Sequence, residues 1–311
     1  MQMSDAWLTD ARSKLESLLD IFDLHGDTLV SAQLATVVEL LDAKPDTTLG
    51  HAVTNNGRGS LAPGMEVGTF KAMNPLIAKL SRVMTLSQEE CAALEAICQD
   101  VRQIGARRDI IRDGDRPERV HLILSGWACR YKIMKNGKRQ ITALLLPGDF
   151  CDLHVGMLDR MDHAIGAITA TAFAYVDRAQ FQELTRTRPA IMRALWWATL
   201  VDEGVLRSWL VSLGIRTARE RIAHLICELR ERMGNIDREH GGQFAMPLTQ
   251  QDLAEALGLT AVHINRVVRQ LMKERVFEIS KGQVTVLDLS ALKEIAEFDP
   301  SYLHAQSIGT Q

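Results

Sequence analysis

Amide and cationic side chains lie together on one side of a predicted helix near the C-terminal end of the chain. The helix begins after Thr260, and this side carries Ala261, Val262, His263, Asn265, Arg266 and Arg269. Asn and Arg side chains can pair with base edges in the DNA major groove, and further cations can contact phosphates. The opposite side has apolar residues at helical spacing, namely Ile264, Val267, Val268 and Leu271. The pattern predicts a helix that packs on protein with one side and reads DNA with the other.

The flanking residues predict a helix-turn-helix unit followed by a wing. Thr249 and Asp252 form a capping pattern that starts a first helix, and Gly258 ends it. Two β-favouring runs then enclose Lys281-Gly282, which predicts a two-strand wing. An ordinary helical hairpin fits the same spacing. The residues predicted to contact DNA are Thr249, Gln250, Thr260, Ala261, Val262, His263, Asn265, Arg266, Arg269 and Lys281.

Composition limits the class of protein. The chain has 311 residues, 46% of them hydrophobic, and a net charge of -3, so DNA affinity requires a local cationic patch. Its five cysteines include no CxxC pair, which favours a reducing cytoplasm. We expect no metal site, because the Asp, His and Cys residues between 149 and 163 lack a recognised ligand spacing. We find no bilayer-length apolar run and no catalytic motif, and expect neither a membrane role nor an enzyme.

The chain before the helix-turn-helix unit divides into segments with different hydrophobic periods. Two amphipathic helices are predicted in residues 1–44, followed by a Gly- and Asn-rich linker at 45–72. Residues 73–188 contain short β-favouring runs separated by Gly-bearing turns, which predicts a jelly-roll-like antiparallel β-roll with flanking helices. On one of these strands, His121 is expected to face solvent. A winged helix-turn-helix DNA-binding domain at 215–290 and a tail at 291–311 complete the chain, and the predicted class is α+β.

A long helix at 189–214 is apolar on nearly every side, so it must be covered on nearly every side. One side can pack on the β-roll and another on the same helix of a second copy, as in a coiled coil. A buried helix within a monomer fits the periodicity nearly as well. The residues predicted for the dimer interface are Ile191, Leu195, Ala198, Asp202, Val205 and Trp209.

The order of these elements resembles the Crp/Fnr family of bacterial transcription regulators over residues 73–287. The resemblance rests on Ser125-Gly126, on the run from Leu146 to Phe150, on the helix after Arg216, and on the stretch from Thr249 to Leu271. It implies a homodimer with an effector-binding roll that binds a palindromic operator, with double-stranded DNA and RNA polymerase as its partners.

The effector positions depart from the family pattern. Asp152-Leu153 and His163-Ala164 stand where cyclic-AMP-binding members have residues for ribose and phosphate, and Leu206-Arg207 replaces the pair that meets the purine. Cyclic AMP is therefore not the expected effector. Residues 1–90 contain no cysteine, so no iron–sulfur cluster is expected and no cofactor is evident. The predicted effector pocket comprises Asp152, Leu153, His154, Arg160, His163, Ala164, Leu206 and Arg207.

These observations predict a homodimeric transcription regulator that binds a specific DNA sequence. Arg266 is the expected guanine contact, Asn265 can pair with adenine, and Val262 can meet a thymine methyl. A protein-interaction module that uses the winged helix and the long helix is one alternative. A regulator that still binds a nucleotide through Arg160 and Arg207 is another.

Overall fold

The structure is a computed structural model that describes residues 74–151, 153, 160–233 and 243–304. The chain divides into two compact units, Met1–Lys71 and Ala72–Gln311, and every described residue lies in the second. The helices predicted within residues 1–44 and the linker predicted at 45–72 lie outside the described residues.

Helices and strands occur where the changes of period predicted them, which confirms the α+β class. The helices are α1 (Pro75–Leu80), α2 (Gln88–Ile97), α3 (Arg178–Thr187), α4 (Pro189–Ile215), α5 (Ala218–Met233), α6 (Gln250–Leu257), α7 (Ala261–Lys273) and α8 (Leu289–Ala296). The strands are β1 (Val101–Ile104), β2 (Asp109–Ile111), β3 (Arg119–Ser125), β4 (Ala128–Ile133), β5 (Arg139–Leu145), β6 (Ala164–Ala167), β7 (Thr171–Asp177), β8 (Gln243–Ala245), β9 (Phe277–Ser280) and β10 (Gln283–Val286). Strand β8 was not predicted, because its three residues gain a partner only by pairing with β10.

Two antiparallel sheets form the β-roll, one in the order β1-β7-β3 and the other in the order β2-β6-β4-β5. The β4–β5 hairpin pairs Ala128 with Leu145 and Ile133 with Arg139. Gly137 turns this hairpin with φ 81°, a left-handed value that glycine adopts without strain. Side chains from both sheets, among them Leu122, Ile123, Ile141 and Ile165, meet in a core from which solvent is excluded.

The expectation that His121 faces solvent is wrong. Its side chain is buried, and its ring lies 4.9 Å from that of Tyr175 and 5.6 Å from that of Phe173, measured between centroids. Both rings belong to β7, which pairs with β3 along its whole length. Alternation along one strand cannot reveal that aromatic side chains from a neighbouring strand cover its polar residue.

The long helix α4 runs for 27 residues and begins with Pro189 in its first turn. A two-residue connection, Arg216-Thr217, leads into α5. As predicted, Ile222, Leu225, Ile226 and Leu229 form the buried side of α5. Among the described helices, none has the length and hydropathy needed to cross a bilayer.

A buried charge network joins α5 to the β-roll. Arg232 donates to Asp149 Oδ2 and to the backbone oxygen of Leu144, both at 2.8 Å. Asp149 also accepts from Lys79 at 2.5 Å. Burial alone would raise the pKa of Asp149, but Lys79 and Arg232 outweigh it and lower that pKa to about 2. Removing one partner of a buried ion pair costs about 3–5 kcal/mol, so loss of the Arg232 side chain would weaken the contact between α5 and the β-roll.

The segment after α8 packs back onto α4 and α5. The boundary predicted at residue 290 falls within α8, and residues beyond it contribute to the core. A 3-10 turn, Pro300–Leu303, places the Tyr302 hydroxyl 3.1 Å from Glu228 Oε2, and Trp197 Nε1 donates to the backbone oxygen of His304 at 3.2 Å. Glu228 is buried, which raises its pKa, and it also accepts from Trp209 Nε1 at 3.1 Å.

The C-terminal segment lies close against Gly204 of α4. A Cβ at Gly204 would lie 2.6 Å from the backbone oxygen of Tyr302, whereas a Cβ at Gly214 would meet nothing within 4 Å. We expect Gly204→Ala to lower the free energy of unfolding by about 1–3 kcal/mol through overpacking. Urea unfolding at fixed protein concentration measures this, with Gly214→Ala as the matched control. Equal midpoints for the two variants would contradict the close packing.

Candidate nucleic-acid interface and adjoining cleft

Local hydrogen bonds define both helices of the helix-turn-helix unit. The Thr249 hydroxyl accepts from Asp252 N at 3.1 Å, and the Asp252 carboxylate accepts from Thr249 N at 2.8 Å, so the predicted capping box is present. Gly258 ends α6 in the left-handed conformation, with φ 65°. Thr260 then caps α7 by accepting from His263 N at 3.2 Å.

The two sides of α7 differ as predicted. Ile264, Val267 and Leu271 are buried against the rest of the domain. Of the residues predicted to contact DNA, Thr249, Gln250, Arg266, Arg269 and Lys281 are exposed, and the partly buried ones are Thr260, Ala261, Val262, His263 and Asn265. All ten belong to the helix-turn-helix unit or the wing. Thr249 and Thr260 cap α6 and α7, and Lys281 lies in the turn between β9 and β10.

The acidic residue that follows α7 is neutralised by a partner. Glu274 accepts from both terminal nitrogens of Arg219, and the contact between Arg219 Nη1 and Glu274 Oε1 is 2.9 Å. This hydrogen bonding lowers the pKa of Glu274. Arg266, Arg269 and Lys273 are exposed cations on α7.

A cleft of about 660 Å³ lies between the β-roll and α4. Strands β4 and β5 form one wall, α4 forms another, and Arg232 of α5 closes one end. Its lining residues are Arg130, Lys132, Thr142, Ala143, Leu144, Cys151, Leu153, Met161, Asp162, His163, Thr199, Asp202, Glu203, Val205, Leu206 and Arg232.

The cations of the cleft already hold carboxylates. Arg130 Nη2 contacts Asp202 Oδ2 at 2.8 Å and the backbone oxygen of Phe150 at 3.0 Å. Burial would lower the pKa of Arg130, but the Asp202 carboxylate outweighs it and the pKa is raised. Lys132 lies 2.8 Å from Asp113 Oδ2. Together with the Arg232 network, these pairs leave the cleft with little excess positive charge.

Three of the eight residues predicted for an effector pocket line the cleft: Leu153, His163 and Leu206. Arg160 and Arg207 do not line the cleft. Both are exposed, and they contact Gly114 O at 3.2 Å and Glu203 at 2.5 Å, respectively. Ala164 is buried in β6 outside the lining. Asp152 and His154 lie outside the described residues.

Sequence reasoning missed the charged lining residues Arg130, Lys132 and Arg232. Arg130 and Lys132 alternate with Cys129 and Tyr131 along β4, which was the available signal that they share a side of the strand. Nothing local indicated Arg232, which is 83 positions from Asp149 in sequence.

The residues predicted for a dimer interface do not lie on the accessible side of α4. Ile191, Leu195, Ala198, Val205 and Trp209 are buried within the described chain, and Asp202 lines the cleft. The helix is apolar nearly all round, and its period does not distinguish the side that packs within the chain from the side left exposed. The large apolar side chains that remain exposed on α4 are Met192, Trp196, Leu200, Leu206, Leu210, Val211 and Ile215.

Both domains match known family models. Residues 101–188 match the cyclic nucleotide-binding domain, and residues 220–295 match the Crp-like helix-turn-helix domain. The first match covers most of the β-roll. The second covers α5, the helix-turn-helix unit and the wing.

Relatives with assigned roles agree with these matches. The chain is 34% identical over 217 residues to the transcriptional activator protein FnrL of Cereibacter sphaeroides, covering 68% of this chain and 86% of FnrL. It is 27% identical over 214 residues to the nitrogen fixation regulation protein FixK of Bradyrhizobium diazoefficiens, covering 66% of this chain and 89% of FixK. The structure of FixK2 from Bradyrhizobium japonicum shares the fold, with a TM-score of 0.54 at 23% identity over 68% of this chain and 98% of that one.

The predicted family membership is thus confirmed by sequence and by fold. A β-roll, a long helix and a C-terminal helix-turn-helix unit with a wing follow one another in this chain. The chain belongs to the Crp/Fnr family and is a DNA-binding transcription regulator.

Proposed function

We propose that two copies of this chain form a cytoplasmic homodimer that binds a palindromic operator, with one α7 helix in each of two successive major grooves. The observation that carries the proposal is the outer side of α7, where exposed Arg266 and Arg269 stand opposite a buried apolar side. Such a helix satisfies both requirements of a recognition helix, since it is anchored on protein and offers cations and an amide to DNA. RNA polymerase is the further partner expected of a regulator at a promoter.

The exposed side of α4 supports the dimer. Trp196, Leu206 and Leu210 are exposed by 65%, 54% and 70%, more than a large apolar side chain that stays in water usually is. The positions Met192, Trp196, Thr199, Glu203, Leu206, Leu210 and Leu213 follow one another at alternating intervals of four and three residues. That is the spacing of a coiled-coil seam. We therefore propose that the dimer contact lies on this side of α4 and borders the cleft, which Thr199, Glu203 and Leu206 also line.

A protein-interaction module is the competing class, and selection from a random duplex DNA library separates the two. The purified protein should enrich a two-fold-symmetric sequence, with binding that weakens steeply as salt rises because counterions are released. Absence of retention at low salt would favour the protein-interaction class.

A substitution at Arg266 tests whether α7 reads bases. Arg266→Ala should weaken binding to the selected operator by about 1–3 kcal/mol and relax the preference at one base pair in each half-site. Equilibrium binding to the operator and to its single-base variants measures both effects. Arg186→Ala, at an exposed position of α3, is the matched control and should leave both unchanged. An unaltered base preference in the Arg266 variant would remove this residue from the base-reading set.

We further propose that the cleft beside α4 is the effector site and that cyclic AMP is not the effector. Arg130, Lys132 and Arg232 each hold a carboxylate, so a phosphate would have to displace these partners. Calorimetric titration with cyclic AMP and cyclic GMP should give no saturable heat from protein that binds its operator. Saturable heat that Arg130→Gln abolishes would contradict this and favour a nucleotide effector.

A further inference from the structure

Two arginines of the β-roll contact α6, the first helix of the helix-turn-helix unit. Arg107, in the turn between β1 and β2, contacts both oxygens of Asp252, with 2.7 Å between its Nη2 and Oδ2. Arg139, the first residue of β5, contacts Glu255 Oε2 through Nη1 at 2.9 Å. The neighbouring Gln140 donates to the backbone oxygen of Ala256 at 3.4 Å. Because positions 252, 255 and 256 lie on one side of a helix, the contacts form a single surface.

Contacts within the β-roll fix the position of the Arg139 side chain. Its guanidinium lies 4.0 Å from the centroid of the Tyr131 ring, and its Nη2 lies 3.1 Å from Cys129 Sγ. The Tyr131 hydroxyl donates to Asp109 Oδ1 at 2.5 Å, which fixes the ring. An arginine stacked in this way loses less conformational entropy when it pairs than a mobile surface arginine does.

The paired carboxylates are also shielded from solvent. The side chain of Asp252 is 2% exposed and that of Glu255 is 15% exposed. Salt screens buried or partly buried pairs much less than exposed ones. These two contacts therefore differ from the exposed ion pairs of the β-roll, such as Arg102 with Asp100, whose side chains are 60% and 40% exposed.

The other end of α6 is fixed to the long helix. Arg221 donates to the backbone oxygen of Leu257 at 2.9 Å and to that of Leu213 at 3.0 Å. Leu257 ends α6 and Leu213 lies in the last turn of α4. The last residue of α6 is therefore tied to α4 through Arg221, and Asp252, Glu255 and Ala256 are tied to the β-roll.

We propose that Arg107 and Arg139 are positioning residues that fix the orientation of the helix-turn-helix unit on the β-roll and thereby set the half-site spacing that the dimer accepts. The inference rests on the proposed dimeric, operator-binding function. Without the two arginines, the helical domain keeps the Arg232–Asp149 contact and α6 keeps its attachment to α4 through Arg221, but α6 loses both of its ion pairs with the β-roll, so its orientation is less narrowly fixed. Strand β5 also lines the cleft at Thr142, Ala143 and Leu144, so the strand that contacts α6 is the one an effector would touch.

Operators with altered spacing test the positioning role. One added or removed base pair moves a half-site by about 3.4 Å and rotates it by roughly a tenth of a turn. We expect the wild-type dimer to prefer one spacing, and Arg139→Glu to reduce that preference by at least about threefold. Arg107→Gln should act in the same direction. The measured quantity is the ratio of one variant's affinities for two operator spacings. A change of charge that weakens binding to all DNA alters both affinities equally and leaves this ratio unchanged.

A charge exchange provides the rescue. Arg139→Glu combined with Glu255→Arg re-forms a pair of opposite charges and should restore the wild-type preference, whereas Glu255→Arg alone should not. Asp252 is left unchanged because it caps α6. Arg102→Gln, which removes an exposed pair that does not involve α6, is the matched control. Circular dichroism and urea unfolding establish that each variant is folded.

The outcomes separate the inference from the proposed function. Relaxed spacing in the single variants with recovery in the exchanged pair supports the positioning role. A wild-type preference that Arg139→Glu leaves intact overturns this inference alone, and so does failure of the exchange to restore it in a folded protein. A wild-type protein without any preferred symmetric operator overturns both.

Discussion

A helix that is apolar on nearly every side must be covered on nearly every side, and α4 imposes this constraint on the rest of the structure. Part of its apolar surface packs within the chain, where Ile191, Ala194 and Trp209 are almost inaccessible to solvent. The C-terminal turn covers the part near Gly204. Trp196 and Leu210 remain exposed, and a second copy of the same helix can cover them. Packing within the chain thus uses one side of the helix, and dimer formation would use another.

Charge pairs contribute to the orientation of the helical domain on the β-roll. Arg232 with Asp149 and Arg107 with Asp252 each join residues more than 80 positions apart in sequence. A buried, hydrogen-bonded pair adds less to stability than its Coulomb attraction suggests, because both charges lose water. It does require one particular geometry, since displacing either partner leaves a charge without compensation. That requirement gives a physical basis for holding a DNA-reading helix at a defined orientation.

The sequence predicted best where the information is local. The cap at Thr249, the end of α6 at Gly258 and the apolar side of α7 depend on neighbours within one or two turns, and each was confirmed. The accessible side of α4 could not be predicted, because its period is obscured by apolar residues all round. Arg130 was missed for a related reason, since its partner Asp202 lies 72 positions away. Pairs that form across domains leave no periodic signal in either segment.

The distance between the two α7 helices of a dimer tests the central claim most directly. Lys273 is exposed near the end of α7, and in a Cys91→Ser background the remaining native cysteines are buried, so a spin label can be placed at Lys273→Cys. With operator bound, double electron–electron resonance should give one narrow distance, on the order of the 34 Å that separates two successive major grooves. Without DNA, the wild-type background should still give an intermolecular distance, and Trp196→Glu should abolish that signal by separating the copies. Absence of an intermolecular distance in the wild-type background, or one that Trp196→Glu leaves unchanged, would contradict a dimer formed through the exposed side of α4.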